Sequence, residues 1–138
     1  MSESVSDNAV FKERRLKLST DDVKRIAKEN GSIPPCKVCS VLACSGWESF
    51  PSLFNESALM KVGSLLQAGD DEPTLDEFHP GGTHYWSATA PIALDFHPYN
   101  RCELWQCRHC THPFLRYTEY GGYYEDGRIR DLNPALLV

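Results

Sequence analysis

Apolar positions recur at helical spacing in two stretches of this chain; elsewhere they come in short runs broken by proline and glycine. In the first stretch Val23, Ile26 and Ala27 follow Ser19, with Asp22 three residues beyond it. That is a capping-box variant, and it predicts a helix starting at Ser19 or Thr20. Gly31 stands where a helix-ending glycine belongs, and Pro34-Pro35 then keeps the chain extended. The second stretch is 55–66, where Leu59, Val62 and Leu66 predict the buried stripe of a second helix.

Residues 41–50, with Cys44, Gly46 and Trp47, read as a strand or loop between the two. From 83 onward the pattern turns to β-structure. The runs 83–87 and 92–96 are short and aromatic or apolar, and Pro80-Gly81-Gly82 and Pro91 punctuate them. Residues 102–106 read as a strand. Residues 114–120, Gly121-Gly122 and the run from Tyr123 read as a hairpin, with Asp126-Gly127 as a rival turn. The expectation is an α+β fold, with an N-terminal and a middle helix and a C-terminal antiparallel sheet. Residues 1–9 read as a flexible polar tail and 10–138 as a single domain. The stretch 11–18 mixes Lys12, Arg14, Arg15 and Lys17 with three apolar residues in no clear period.

Six cysteines change this picture. The first 20 residues are hydrophilic and hold no apolar signal-peptide core, so no export is expected and a cytoplasmic location is. Cysteines in such a chain point to metal ligands or free thiols before disulfides. Four of them form two Cys-x-x-Cys pairs, Cys36/Cys39 and Cys107/Cys110. Two such knuckles close a tetrahedral zinc site and leave no position open for water. The 67 residues between Cys39 and Cys107 give the ion an architectural role, pinning the early chain to the last third. His109, His112, Cys44 and Cys102 lie near enough in sequence to replace one ligand. Cys44 and Cys102 read instead as buried thiols.

A knuckle, a hairpin and a second knuckle resemble the zinc-ribbon group over 107–130, with a long insertion between the pairs. The runs Tyr85-Trp86-Ser87, Ala90-Pro91-Ile92, Pro98-Tyr99-Asn100-Arg101-Cys102 and 116–124 resemble small uncharacterised bacterial proteins. Some proteins of this size and acidity are immunity proteins that neutralise a toxin domain. That resemblance implies a protein-binding inhibitor and carries over no residue role.

Charge points the same way. The net charge is −5, and residues 31–138 hold seven Lys/Arg against thirteen Asp/Glu. Phosphate binders lean the other way, so a basic protein partner is favoured over nucleic acid. Asp70, Asp71, Glu72, Asp76 and Glu77 form an acidic loop able to face such a partner. The alternative is nucleic-acid binding by a ribbon with Tyr117, Tyr120, Tyr123 and Tyr124 beside Arg108, Arg116, Arg128 and Arg130. The least favoured reading is a metal-dependent hydrolase using His79, His84 and His97 with Glu77 or Asp95 as base. No nucleophile elbow or phosphate loop is present, and no apolar run reaches the roughly 20 residues of a membrane span. A non-enzymatic, zinc-stabilised protein-binding module is the reading the sequence favours.

Overall fold

Five strands make one antiparallel sheet, and a computed structural model describes it over residues 16–138. The expected tail at 1–9, and 11–15 of the basic stretch, lie outside the described residues. Helix α1 (Thr20–Asn30) begins as its sequence requires. Asp22 N–H donates to Ser19 Oγ at 3.1 Å, and Ser19 N–H donates back to the Asp22 carboxylate at 3.0 Å. Its buried stripe is Val23, Ile26 and Ala27. Gly31 ends the helix in the ordinary right-handed region, φ −69° and ψ −22°, rather than the left-handed one. Glycine is needed there for space. A β-carbon would lie 2.6 Å from Pro134 Cδ and 2.9 Å from the Leu132 carbonyl oxygen.

The strands are β1 (Glu48–Ser49), β2 (Leu59–Ser64), β3 (Glu103–Cys107), β4 (Pro113–Tyr120) and β5 (Glu125–Asp131), in spatial order β1-β5-β4-β3-β2. The second helix is therefore corrected. Residues 55–66 hold one 3-10 turn, Glu56–Ala58, and then β2. Among the described residues the fold is one helix with a five-stranded sheet, mostly β rather than balanced α+β. The physical reason lies in the two faces of a strand. Leu59 packs on the metal side with Cys107 and Phe114, and Val62 packs on the helix side. Both faces of this sheet are covered, so an i, i+3 apolar pair is as compatible with a strand as with a helix.

Two further expectations are corrected. Residues 83–87 and 92–96 are not strands; Ile92 makes a single parallel bridge to Leu137. The hairpin turns at 121–124, while Asp126 and Gly127 lie inside β5 opposite Glu119 and Thr118.

Alternation along the sheet sorts the core into two layers. Leu104, Leu115 and Tyr117 face α1 and the long loop 65–98, with Trp47, Tyr99, Ile92 and Leu132. Phe114, Ile129 and Cys107 face the other way, with Leu42, Cys39, Phe50 and Phe54. Trp47 centres the first layer. Tyr117 meets it edge-on at 4.9 Å between ring centroids, and its indole N–H donates to Tyr99 Oη at 3.2 Å.

The loop 65–98 has almost no ladder of its own and is held by a buried cation. Arg130 is fully buried on β5. Its guanidinium donates to the carbonyls of Ser45 (2.8 Å), Ala90 (2.8 Å) and Ala88 (3.3 Å) and to the Tyr99 hydroxyl. Planar guanidinium, with five donors in a fixed fork, suits such a site better than ammonium does. Replacing Arg130 with Met strands three carbonyls and leaves the Tyr99 hydroxyl with the Trp47 indole alone, and is expected to cost at least about 3 kcal/mol. Arg130→Lys should recover only part of it. Urea denaturation of the three proteins tests this, and an unchanged midpoint for Arg130→Met would exclude the anchoring role.

Candidate metal centre

The two cysteine pairs come together from opposite ends of the described chain. Cys36 and Cys39 sit in the turn after α1, and Cys107 ends β3, so that Cys107–Cys110 forms the β3–β4 connection. Both knuckles are built alike. The amides of Val38 and Cys39 donate to Cys36 Sγ, and those of His109 and Cys110 donate to Cys107 Sγ. The backbone closes each turn, Ser40 N–H to the Cys36 carbonyl at 2.8 Å and Thr111 N–H to the Cys107 carbonyl at 2.9 Å. Thr111 takes the left-handed conformation, φ 67°, that lets the chain reverse into β4.

All four sulfurs lie within 4.8 Å of one another. Cys36 Sγ is 3.9 Å from Cys39 Sγ and 3.7 Å from Cys107 Sγ, and Cys39 Sγ is 3.6 Å from Cys110 Sγ. A tetrahedron of sulfurs at about 2.3 Å from a central ion has edges of about 3.8 Å. Disulfides need about 2.05 Å, and all six cysteines are free thiols. This four-cysteine cluster can hold a metal ion. Among the described residues it is the one group of His, Cys, Asp or Glu so placed.

Electrostatics at the cluster are divided. The Cys39 and Val38 amides bring the Cys36 thiol down to about 6, while burial pushes Cys39 and Cys107 up. Cys39 and Cys107 are fully buried and Cys36 and Cys110 half-buried. Four packed thiolates repel one another, and a divalent cation at their centre offsets both that repulsion and the burial.

None of the rival ligands joins the cluster. The Cys44 thiol donates to the Leu42 and Ile129 carbonyls, and Cys102 to Pro98. The backbone N–H of His109 reaches Cys107 Sγ at 3.4 Å, and its side chain is exposed. Buried His112 has both ring nitrogens engaged, Nδ1 by the Ile33 carbonyl and Nε2 by the Asp131 carboxylate. Burial opposes its charge, but the Asp131 bond and charge and the Ile33 carbonyl outweigh it and raise its pKa.

Sequence reasoning missed what His112 does. It ties the segment leading to the first knuckle to the start of β4 and the end of β5. Asn30 Nδ2 adds a bond to Thr111 Oγ1 at 3.2 Å, and Arg108 fastens the second knuckle through its N–H to Ala58 (2.9 Å) and its Nε–H to Ser57 (3.0 Å). The available signal was faint: a histidine directly before a strand-initiating proline.

The other candidate residues are dispersed. His79 bonds Thr83 at 2.9 Å and Glu77 at 2.7 Å, and the buried Nδ1 of His97 has no partner among the described residues. His97 instead packs its ring on Tyr117. His79, His84, His97 and Asp95 make no shared metal group. In the acidic loop, Asp70 pairs with Lys17, Glu72 with Arg101 at 3.0 Å and Glu77 with His79, which leaves Asp71 and Asp76 unpaired among the described residues. The arginines are also engaged. Arg116 pairs with Glu56 and lies 3.9 Å from the Phe50 ring centroid. Arg128 bonds Asp126 at 2.9 Å and Tyr85 at 3.0 Å.

No protein-family model matches the chain, and neither a curated protein nor a solved structure matches it. The four-cysteine cluster, which could hold a metal ion, is zinc-ribbon-like in its two knuckles. It departs from a ribbon in that the first knuckle lies in a turn with no hairpin of its own. No helix among the described residues is long and apolar enough to cross a membrane.

His112→Ala separates the strap from the sheet while leaving all four sulfurs in place. We expect it to lower stability by about 2–3 kcal/mol while the metal-to-protein ratio stays that of the wild type. Calorimetry and elemental analysis on one sample check both halves. Loss of the metal would show that His112 is part of the ion's coordination.

Proposed function

We propose that the chain is a non-enzymatic module that binds another protein, its frame tied by one zinc ion on Cys36, Cys39, Cys107 and Cys110. The observation that carries this reading is the sulfur spacing of 3.6–3.9 Å across two knuckles. Zinc suits the donors because thiolates are soft and the ion accepts a tetrahedron without preference of its own. With four thiolates bound there is no site for an activated water, so the ion stabilises and does no chemistry.

Support for the binding half comes from what the arginines do. With Arg116, Arg128 and Arg130 engaged inside the chain, the alternative of a nucleic-acid reader keeps few free donors for phosphate. The net charge of −5 favours a basic partner. An inhibitor that covers the basic cleft of a nuclease-like toxin domain is one role of that kind.

Protein purified from zinc-supplemented medium should carry one zinc per chain. Cys36→Ser and Cys107→Ser should each abolish stoichiometric zinc and lower the melting temperature sharply, because structural zinc in small peptides is worth about 10–16 kcal/mol. Melting that ignores a strong chelator would remove the zinc tie. For the binding half, tagged protein is captured from its own cells with nuclease added. Recovery of one stoichiometric basic protein supports the module, and loss of all captured material on nuclease treatment overturns it.

A further inference from the structure

The outermost part of the sheet is the tip of the β4–β5 hairpin, and its chemistry is uneven. From 117 to 127 the chain carries four tyrosines and three acids and no basic residue. Tyr117 is buried, and the other three tyrosines are not: Tyr120 is 70% exposed, Tyr124 55% and Tyr123 fully exposed. Glu119 and Asp126 turn back to Arg128, whereas the carboxylate of exposed Glu125 has no partner among the described residues. The tip therefore presents three ring faces and one uncompensated carboxylate.

The tip is also held in shape. Gly122 has φ +81°, and a β-carbon on Gly121 would lie 1.6 Å from the Tyr124 ring. The Tyr124 ring thus rests on the Gly121 backbone, and the loop is pinned by Gly121 N–H to the Tyr124 carbonyl at 2.9 Å. Arg128 lies on the other side of the hairpin from Tyr120 and Glu125, bonded to Asp126 and 4.8 Å from the ring centroid of Trp86. Tyr120, Tyr123, Tyr124 and Glu125 line one shallow hollow at the tip.

We propose that this tip, Tyr120, Tyr123, Tyr124 and Glu125, docks on a protein surface bearing exposed arginine and lysine. The inference rests on the protein-binding reading and names the surface and the partner's chemistry. Charge complementarity decides the occupant. Aromatic faces attract guanidinium and ammonium groups, and a neighbouring carboxylate adds to that attraction. Tyrosine brings a large contact area with few rotors to immobilise, which suits an interface centre. Nucleic acid has the wrong sign, because its phosphates would meet Glu125 with no free cation beside it. The acidic loop is less fitted, since Asp70, Glu72 and Glu77 are already paired.

The test is an NMR titration of the full, zinc-loaded, 15N-labelled chain with three probes: an octa-arginine peptide, an octa-glutamate peptide and a single-stranded deoxyoligonucleotide. Octa-arginine is expected to shift the amides of 120–125. Tyr120→Ala with Tyr123→Ala should weaken that binding at least about tenfold, and Glu125→Lys should weaken it as well. These side chains lie outside the core, so both variants should keep the wild-type melting temperature. Shifts confined to Asp71 and Asp76 would overturn the proposal and move the cation-binding face to the acidic loop. Shifts at the tip with the oligonucleotide would overturn it in favour of nucleic acid. No response to octa-arginine would remove the tip as a reader of cations. None of these outcomes decides the partner capture, so the two readings fail separately.

Discussion

Four sulfurs that must share one small volume constrain this chain more than any other set of groups. Cys36 and Cys107 are 71 positions apart and their sulfurs 3.7 Å apart. To satisfy that, the segment after α1 must lie against the β3–β4 turn, and the turn must place two sulfurs on one side. The sheet then has a sealed end, with Leu42, Phe50, Phe54, Phe114 and Ile129 gathered round the knuckles. Its other face is left to α1 and the long loop. Hydrogen bonds that involve no sulfur, from Asn30 to Thr111 and from His112 to Ile33 and Asp131, draw the same two segments together. An ion arriving at the site would find its ligands close to their bound spacing, so little ordering entropy remains to oppose binding.

What could be read in advance was whatever depends on neighbours in sequence. The capping box, the apolar stripe of α1, the two knuckles and the β4–β5 hairpin are all local, and each carries its cause in a few adjacent residues. The strand at 59–64 was not legible, because its apolar spacing fits a helix equally well and only the partner strand decides between them. Gly31 was placed correctly for a reason that does not apply: the glycine answers to Pro134 and Leu132, a hundred residues away, and not to a left-handed cap. The runs 83–87 and 92–96 were misread for a similar reason. Ala90, Ile92, Ala93 and Leu94 are core side chains, but the backbone beside them is held by an arginine on β5, and no period in the loop itself announces that. The four-cysteine cluster was legible because chemistry restricts such spacing to few residue types. His112 was not, since a structural histidine has no spacing rule.

The distribution of charge follows from how the arginines are spent. Arg116, Arg128 and Arg130 each project from the sheet into apolar or aromatic surroundings, and each finds acceptors there, although one buried Nη of Arg116 has no partner among the described residues. Long side chains of this type lay apolar stems across the sheet while their heads seek acceptors. The cost is borne by the surface, which gives up these three cations while Lys24, Arg25, Lys28, Lys37 and Arg108 stay exposed. An acidic, aromatic exterior is thus partly a by-product of how the interior is braced.

Arg130 has one more implication. One side chain carries the bonds from β5 to Ser45, Ala88 and Ala90. Opening the loop alone would strand a cation in the core, and opening β5 alone would strand carbonyls. A segment with almost no regular structure is thereby joined to β5 as a single cooperative unit. Its amides should exchange with solvent on the timescale of global unfolding, although its conformation is that of a surface connection.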